Sequence, residues 1–323
     1  MKKAIINFAD KVDSAVSKLN ISLFEERCSV IVLLFHGLFE DSSQIARNHV
    51  DPQQRIVVSQ FRTFIEYFLN SGYIFISSKD ILEGLDESKK YVVVTFDDGY
   101  YNNNVSLPVL VEYKIPAIYF ISTNHILQGK CFWWDVIYRE RVRRGCSSQE
   151  ISKEISSLKR LKNSEIELYI EKAFGNNAFR PIGDIDRPFT PDELHRFSMN
   201  PYVELGNHTR NHAILTNYSS AEIMEEISGA QDDIVKMTGI RPHVISYPNG
   251  NYSDEIIAIS KELGLRLGII VNCQKNYHPI TEDNDRRFML NRYILWGTKD
   301  IVSQCESFRS DVHIVNYLKK IFK

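Results

Sequence analysis

A short apolar run that ends in two acidic residues and a glycine dominates this sequence. The run Tyr91–Phe96 is rich in β-branched residues and predicts a buried strand, and Asp97, Asp98 and Gly99 follow it directly. Two carboxylates at the end of an apolar strand are costly to desolvate unless a metal or another cation is their partner. Asp-Asp-Gly is also a favourable turn sequence, so the pair alone favours a turn slightly over a site.

Helix-like and strand-like segments alternate along the chain. Apolar residues recur at helical spacing in residues 4–27 and in Ser59–Asn70. Short apolar runs predict strands at Val30–Phe35, Tyr73–Ser77, Ile115–Ile121 and Val244–Tyr247. This alternation favours parallel α/β architecture.

The distribution of residue types along the sequence suggests three parts. We expect a helical extension at residues 1–29, a barrel domain at 30–299 and a helical tail at 300–323. Between about residues 131 and 187 the chain becomes rich in Ser, Lys and Glu at helical spacing, which predicts a helical subdomain inserted into the barrel.

Composition excludes several classes of protein. The chain has 39 basic and 41 acidic side chains, so no overall field draws it to nucleic acid. Its longest apolar run, Val30–Phe35, is much shorter than the ~20 residues of a membrane-spanning helix. The five cysteines lack CxxC spacing, which indicates neither a disulfide framework nor a thiolate zinc site. Because no signal peptide is evident, we expect a cytoplasmic protein, with peripheral membrane association left open.

Two histidines and two further strand ends supply residues that could form one site with the Asp pair. His208 and His212 are four residues apart, and on a helical turn both rings would reach one ion. Together with one Asp they make three protein ligands, which leaves positions open for water and substrate. His36 ends the first strand, and the turn at Asn249 could direct backbone N–H groups into a cleft. In a barrel all these strand ends meet at one face.

These residues resemble the polysaccharide deacetylases with a NodB-homology domain, carbohydrate esterase family 4. Thr95-Phe96-Asp97-Asp98-Gly99 resembles the first family motif, and His208-Thr209-Arg210-Asn211-His212 matches the second, H-[ST]-x-x-H. The resemblance covers about residues 30–130 and 190–296. It implies a distorted (β/α) barrel, a divalent metal, and hydrolysis of an N-acetyl group on a sugar.

The later motifs resemble one branch of the family. Tyr247-Pro248-Asn249-Gly250 is similar to the Y-P-[YF]-G variant of the branch that acts on biofilm polyglucosamine, with Asn249 in the aromatic position. The usual late Leu-x-His has no clear match, and in that branch a strand-end histidine such as His36 takes over as general acid. Arg292 resembles the late arginine that orients the base.

The roles that follow combine this resemblance with the chemistry of amide hydrolysis. Asp98, His208 and His212 are the predicted metal ligands, and Asp97 is the base. A backbone N–H near Asn249 would hold the oxyanion, and His36 would protonate the leaving amine, with His125 as the second choice. We expect zinc, with iron, cobalt or nickel as alternatives. Tyr247 and Trp134 are candidate substrate contacts, although an apolar anchor for the insertion is the favoured role of the Trp.

The expected enzyme is therefore a metal-dependent hydrolase that removes an N-acetyl group from an amino sugar in a polysaccharide or glycoconjugate. One alternative is a deformylase or deacetylase of a lipid- or nucleotide-linked sugar. Another is a carbohydrate-binding homologue without activity, for which the missing motifs are the argument. A carbohydrate is the expected partner, nucleic acid is not, and the sequence does not determine the oligomeric state.

Overall fold

A computed structural model describes residues 2–280 and 285–312, with side chains for residues 12–280 and 286–312. Its strands are β1 (Ser29–Phe35), β2 (Ile74–Phe75), β3 (Tyr91–Phe96), β4 (Ala117–Ile121), β5 (Val203–Asn207), β6 (Val244–Ser246), β7 (Leu267–Ile270), β8 (Asn276–Tyr277) and β9 (Leu290–Ile294). The helices before the insertion are α1 (Lys2–Leu23), α2 (Ser42–Ala46), α3 (Val58–Asn70), α4 (Ser78–Glu83), α5 (Leu107–Tyr113) and α6 (Thr123–Gln128). The later helices are α7 (Trp133–Arg143), α8 (Ser148–Leu158), α9 (Asn163–Phe174), α10 (Pro191–Ser198), α11 (Ser220–Thr238), α12 (Asp254–Glu262) and α13 (Ile301–Arg309).

Within the described residues, seven parallel strands form a closed barrel. The order is β1-β3-β4-β5-β6-β7-β9, and β9 pairs with β1 to complete the ring. β2 pairs with β3, and β8 pairs with β1 in the antiparallel direction. The distorted (β/α) barrel predicted from the sequence is therefore confirmed.

The two faces of each strand have different neighbours. Alternate residues such as Val32, Val93 and Phe120 pack together inside the barrel. The residues between them, including Leu33 and Phe96, pack outward against α3 and neighbouring helices. Because both faces are covered, β1 and β3 are buried along their whole length, which explains their continuous apolar sequences.

The strand predicted at Tyr73–Ser77 is shorter in the structure, so the predicted ends are wrong. β2 contains only Ile74 and Phe75, because Ser77 already caps α4: its hydroxyl accepts a hydrogen bond from the Asp80 backbone N–H, and the Asp80 carboxylate accepts one from the Ser77 N–H. The N-cap of α4 thus lies only two residues after the end of β2.

Three helices, α7, α8 and α9, occupy the region predicted as an insertion. They share an apolar cluster built around Trp133, Trp134 and Ile166, which also includes Phe39 and Tyr100 from the barrel loops. The cluster joins the three helices to the carboxyl end of the barrel. In the predicted tail, α13 forms a helix, and residues from 313 onward lie outside the described part of the chain. Among the described helices, none is long and apolar enough to cross a membrane.

Candidate active site

A cavity of about 300 Å³ opens at the carboxyl end of the barrel. Strand ends, the loops that follow them and the helical insertion all contribute to its wall. Its polar and aromatic lining consists of His36, Asp51, Gln53, Asp97, Asp98, Trp133, Trp134, Lys159, His208, His212, Asn249 and Arg292. Most of the residues selected from the sequence therefore meet in one cavity, as strand ends of a barrel are expected to do.

Asp98, His208 and His212 form a compact cluster in this cavity. One ligand atom from each lies within 4.8 Å of the others. The Asp98 Oδ1 atom is 3.5 Å from His208 Nε2 and 3.4 Å from His212 Nε2. Both carboxylate oxygens of Asp98 are buried and accept no hydrogen bond. A buried carboxylate without a donor is costly unless a cation neutralises it, so these residues fit a divalent metal with N and O ligands.

The two histidines do not lie on a helical turn, which corrects the expectation from their spacing. They lie in an irregular loop after β5, with left-handed backbone at Thr209 (φ 63°) and His212 (φ 52°). Side chains replace the helical hydrogen bonds: Asn207 Oδ1 accepts from the Thr209 N–H, and Glu226 Oε2 accepts from the Asn211 N–H. The rings converge because of this turn and not because of helical periodicity.

The ring of His208 is oriented by the backbone of the neighbouring strand. Its Nδ1–H donates to the Ser246 carbonyl over 2.7 Å, which leaves Nε2 directed toward Asp98. For His212, burial lowers the pKa to about 3, so that ring is neutral and its lone pair is available to a metal. His212 also packs against Trp134, with 4.6 Å between ring centroids.

Asp97 has partners that Asp98 lacks. Both of its oxygens accept hydrogen bonds from the fully buried Arg292, at 2.7 and 2.8 Å, and Ser246 Oγ donates to it over 3.2 Å. Burial raises the pKa of Asp97, but the charge and the hydrogen bonds of Arg292 outweigh burial and hold the pKa below its usual range. The carboxylate is therefore ionised and held in one orientation beside the three-residue cluster.

His36 lies at the end of β1, on the wall of the same cavity. Its Nδ1 atom is 3.1 Å from Gln54 Oε1, and its backbone N–H donates to the same oxygen over 3.0 Å. Asp51 lines the cavity nearby, and burial raises the pKa of that carboxyl. His125, the alternative to His36, is instead stacked on Phe132 at 4.1 Å, and burial lowers its pKa to about 4. It does not line this cavity.

The remaining predicted residues are placed differently. Asn249 lines the cavity with left-handed backbone (φ 60°), and its side chain accepts from Lys159 Nζ over 2.7 Å. Trp134 lines the cavity and also donates to Tyr100 Oη within the apolar cluster of the insertion. Tyr247 is fully buried among core residues between the sheet and α12, away from the cavity, so its assignment as a substrate contact is not supported by its position.

Sequence reasoning did not select Asp51, Gln54 or Lys159. The first two lie in a loop without periodicity between α2 and α3, and Lys159 follows α8 in a charged stretch that resembles any solvated helix end. No spacing rule connects these segments to the strand ends. Only the folded chain brings Asp51 and Lys159 to the cavity wall and places Gln54 against His36.

Known proteins resemble this chain in sequence and in fold. A sequence model of the family described as polysaccharide deacetylase matches residues 84–268, more than half of the chain. The peptidoglycan-N-acetylmuramic acid deacetylase PdaC of Bacillus subtilis is 40% identical over 53 residues, which is 16% of this chain and only 11% of that relative.

Solved structures show the same fold. The deacetylase PplD of Streptococcus pyogenes, determined in complex with acetate, superposes with a TM-score of 0.59 at 17% identity, covering 87% of this chain and 99% of the other. A polysaccharide deacetylase of Bacillus cereus gives 0.60 at 15% identity, over 87% and 69%. IcaB of Ammonifex degensii gives 0.56 at 14% identity, over 88% and 99%. With the sequence match over more than half of its length, the chain belongs to the polysaccharide deacetylase family, a family of hydrolases.

Proposed function

We propose that this chain removes an N-acetyl group from an amino sugar in a polysaccharide or glycoconjugate and depends on a divalent metal. The observation that carries the proposal is the buried Asp98 carboxylate, which has no hydrogen-bond donor and lies between two histidines, beside a second carboxylate that Arg292 holds ionised. Asp98, His208 and His212 would hold the metal, with zinc as the first choice and iron, cobalt or nickel as alternatives.

When bound, such an ion supplies a Lewis acid that polarises the acetyl carbonyl and makes a water molecule easier to deprotonate. The protein supplies the proton transfers. Asp97 accepts a proton from the attacking water, because its charge is maintained and its direction is fixed by Arg292 and Ser246. His36 donates a proton to the amide nitrogen as the C–N bond breaks, which releases acetate and a free amine. A backbone N–H at Asn249 is the proposed donor to the oxyanion.

A second candidate substrate is a small lipid- or nucleotide-linked sugar instead of a long polymer. The insertion favours it, because Trp133, Trp134 and Lys159 wall the cavity and Lys159 contacts Asn249 on the opposite strand-end loop. At about 300 Å³ the cavity is at the lower end of the range for small-molecule sites. A panel that compares N-acetylated polymers with single-sugar conjugates separates the two classes.

The test of the proposed function combines metal content with acetate release. We expect about one divalent ion per chain in the purified protein. His208→Ala should remove it and should abolish acetate release from N-acetyl amino sugars. His195→Ala, on the exposed surface of α10, is the matched control and should change neither. Full metal content in a His208→Ala/His212→Ala variant would contradict the site, and metal without acetate release from any substrate would favour the inactive binding homologue.

A further inference from the structure

We propose that Gln54 is a positioning residue that holds His36 as its Nδ1–H tautomer and so presents Nε2 to the cavity. The geometric part of this inference depends only on the contacts of Gln54. Its catalytic consequence rests on the function proposed above, in which His36 is the general acid.

The orientation of the Gln54 amide is determined by two backbone groups. Its Nε2 donates to the Leu34 carbonyl over 2.5 Å, and a carbonyl can only accept. Its Oε1 accepts from the His36 backbone N–H over 3.0 Å, and an N–H can only donate. In the opposite orientation the amide NH2 would face the His36 N–H, donor against donor. The amide oxygen would face the Leu34 carbonyl, acceptor against acceptor. The oxygen therefore faces His36.

This oxygen decides which ring nitrogen of His36 carries the hydrogen. Oε1 is 3.1 Å from Nδ1, and an amide oxygen has no hydrogen to give. Nδ1 must therefore be the donor. Nε2 is then the nitrogen that is free to gain and lose a proton at the cavity, which is the atom a general acid needs.

Gln54 is buried and is held from both sides along the chain. Gln53 (φ 41°) and Arg55 (φ 55°) both have left-handed backbone, which is unfavourable for residues other than glycine. Gly297 donates its N–H to the Gln54 carbonyl over 2.7 Å, and a Cβ at Gly297 would lie 2.0 Å from the Arg55 carbonyl oxygen. Strain of this kind persists only where the surroundings impose it, and it is concentrated at functional sites.

The other charged groups of the cavity come from different elements. Asp51 lies in the same loop as Gln54. Asp97 and Asp98 follow β3, Arg292 belongs to β9, and Lys159 follows α8. None of them has a hydrogen bond to His36 Nδ1 in the structure. A neutral amide, and none of these charged groups, thus orients the ring.

The direct test is the tautomer of His36 in the purified full-length chain labelled with ¹⁵N-histidine. A His36→Gln variant assigns the signals. We expect Nδ1 of neutral His36 to give a protonated, pyrrole-type signal and Nε2 a pyridine-type signal. In Gln54→Met the oxygen is lost and we expect the Nε2–H form to appear. Gln54→Glu keeps an acceptor at Nδ1 and should keep the tautomer.

Steady-state kinetics measure how much the orientation of His36 contributes to catalysis. Gln54→Met should lower kcat for an N-acetyl amide about 10- to 100-fold with little change in KM, and should lower it less for an acetyl ester with a phenolic leaving group. Gln54→Glu should recover part of the loss. Gln60→Met is the matched control: Gln60 also binds backbone of this region, at Gly297 and Val57, but does not contact His36. It should leave the tautomer unchanged.

Two outcomes would overturn the inference. One is an Nε2–H tautomer in the wild-type chain, whatever its activity. The other is a Gln54→Met variant that keeps the Nδ1–H form or loses amide and ester activity equally. A wild-type chain with the expected tautomer but no acetate release would instead contradict the proposed function and leave the orientation of His36 as found.

Discussion

Asp97 and Asp98 are neighbours in sequence, yet their carboxylates have opposite surroundings. Asp97 continues the pairing of β3, since its N–H donates to the Phe35 carbonyl. At Asp98 the backbone turns into the left-handed region (φ 79°), so its side chain diverges from that of Asp97. The Asp97 carboxylate consequently accepts hydrogen bonds from Arg292. The Asp98 carboxylate lies beside the two histidines and accepts no hydrogen bond. This difference supports the proposed roles of Asp97 as proton acceptor and Asp98 as metal ligand.

The separation predicts different behaviour of two conservative variants. Asp97→Asn should keep the metal but lose about 10²–10⁴-fold in acetate release, because an amide cannot accept the proton of the water. Asp98→Asn should lose metal, because one charged ligand becomes neutral. Metal analysis and acetate release on the same preparations check both, with thermal unfolding to verify the fold. An equal fall of metal content in the two variants would contradict these roles.

The sequence predicted the residues of the motifs that follow strands and missed those in the irregular loop between α2 and α3. Asp97, Asp98 and His36 could be selected because a parallel barrel brings all its strand ends to one face. Gln54 could not, since its position depends on left-handed backbone at Gln53 and Arg55, where the sequence has no glycine to signal it. Tyr247 was selected beside a strand end, but its side chain points into the core.

For the helices of the insertion, too, the sequence predicted local structure but not long-range contacts. Their helical spacing was predictable, but the surface they cover was not. The segment after α8 is fixed to the loops of β5, because Asn217 donates to the carbonyls of Lys159 and Leu161, at 3.0 and 3.2 Å. Lys162 adds an ion pair with Glu222 at 2.6 Å. These contacts are long-range in sequence, and they place the Lys159 ammonium at the cavity wall.

Lys159 is therefore expected to contact substrate. Lys159→Met should raise KM for the sugar substrate about tenfold, as loss of one charged hydrogen bond predicts, with little change in kcat or metal content. Lys153→Met, exposed on the same helix α8, is the matched control and should have no effect. Steady-state kinetics on single-sugar and polymeric substrates check this. An unchanged KM for both would show that Lys159 only joins the insertion to Asn249.

The two ends of the described chain meet at the other end of the barrel. Glu26, in the segment between α1 and β1, accepts hydrogen bonds from Lys90 at 3.2 Å and from Arg309 of α13 at 3.0 Å. Tyr73 donates to it as well, and Lys275 lies 3.9 Å away. The extension and tail, which the sequence suggested as separate additions, are thus joined through one nearly buried carboxylate. Sequence patterns do not reveal such a network, because its members lie between 47 and 283 residues from Glu26.

The Glu26 network predicts a stability that depends on pH. Burial raises the pKa of Glu26, but Arg309 and Tyr73, with the charge of Lys275, outweigh it and lower the pKa. A carboxyl with a lowered pKa in the folded state stabilises the protein above its unfolded value of about 4.3, and this contribution is lost as the pH falls through the folded pKa. Glu26→Gln should therefore lower the free energy of unfolding by about 3 kcal/mol at pH 7, as expected for a broken buried pair.

Urea unfolding of the metal-free wild type and of Glu26→Gln, followed from pH 7 to pH 3, measures this difference directly. The gap between the two proteins should narrow below about pH 4, where the unfolded carboxyl is protonated. Glu112→Gln is the control, because its pair with Arg62 is exposed and should contribute much less at any pH. A gap for Glu26→Gln that stays constant down to pH 3 would mean that Glu26 stabilises the joined chain ends through packing and neutral hydrogen bonds, and not through its charge.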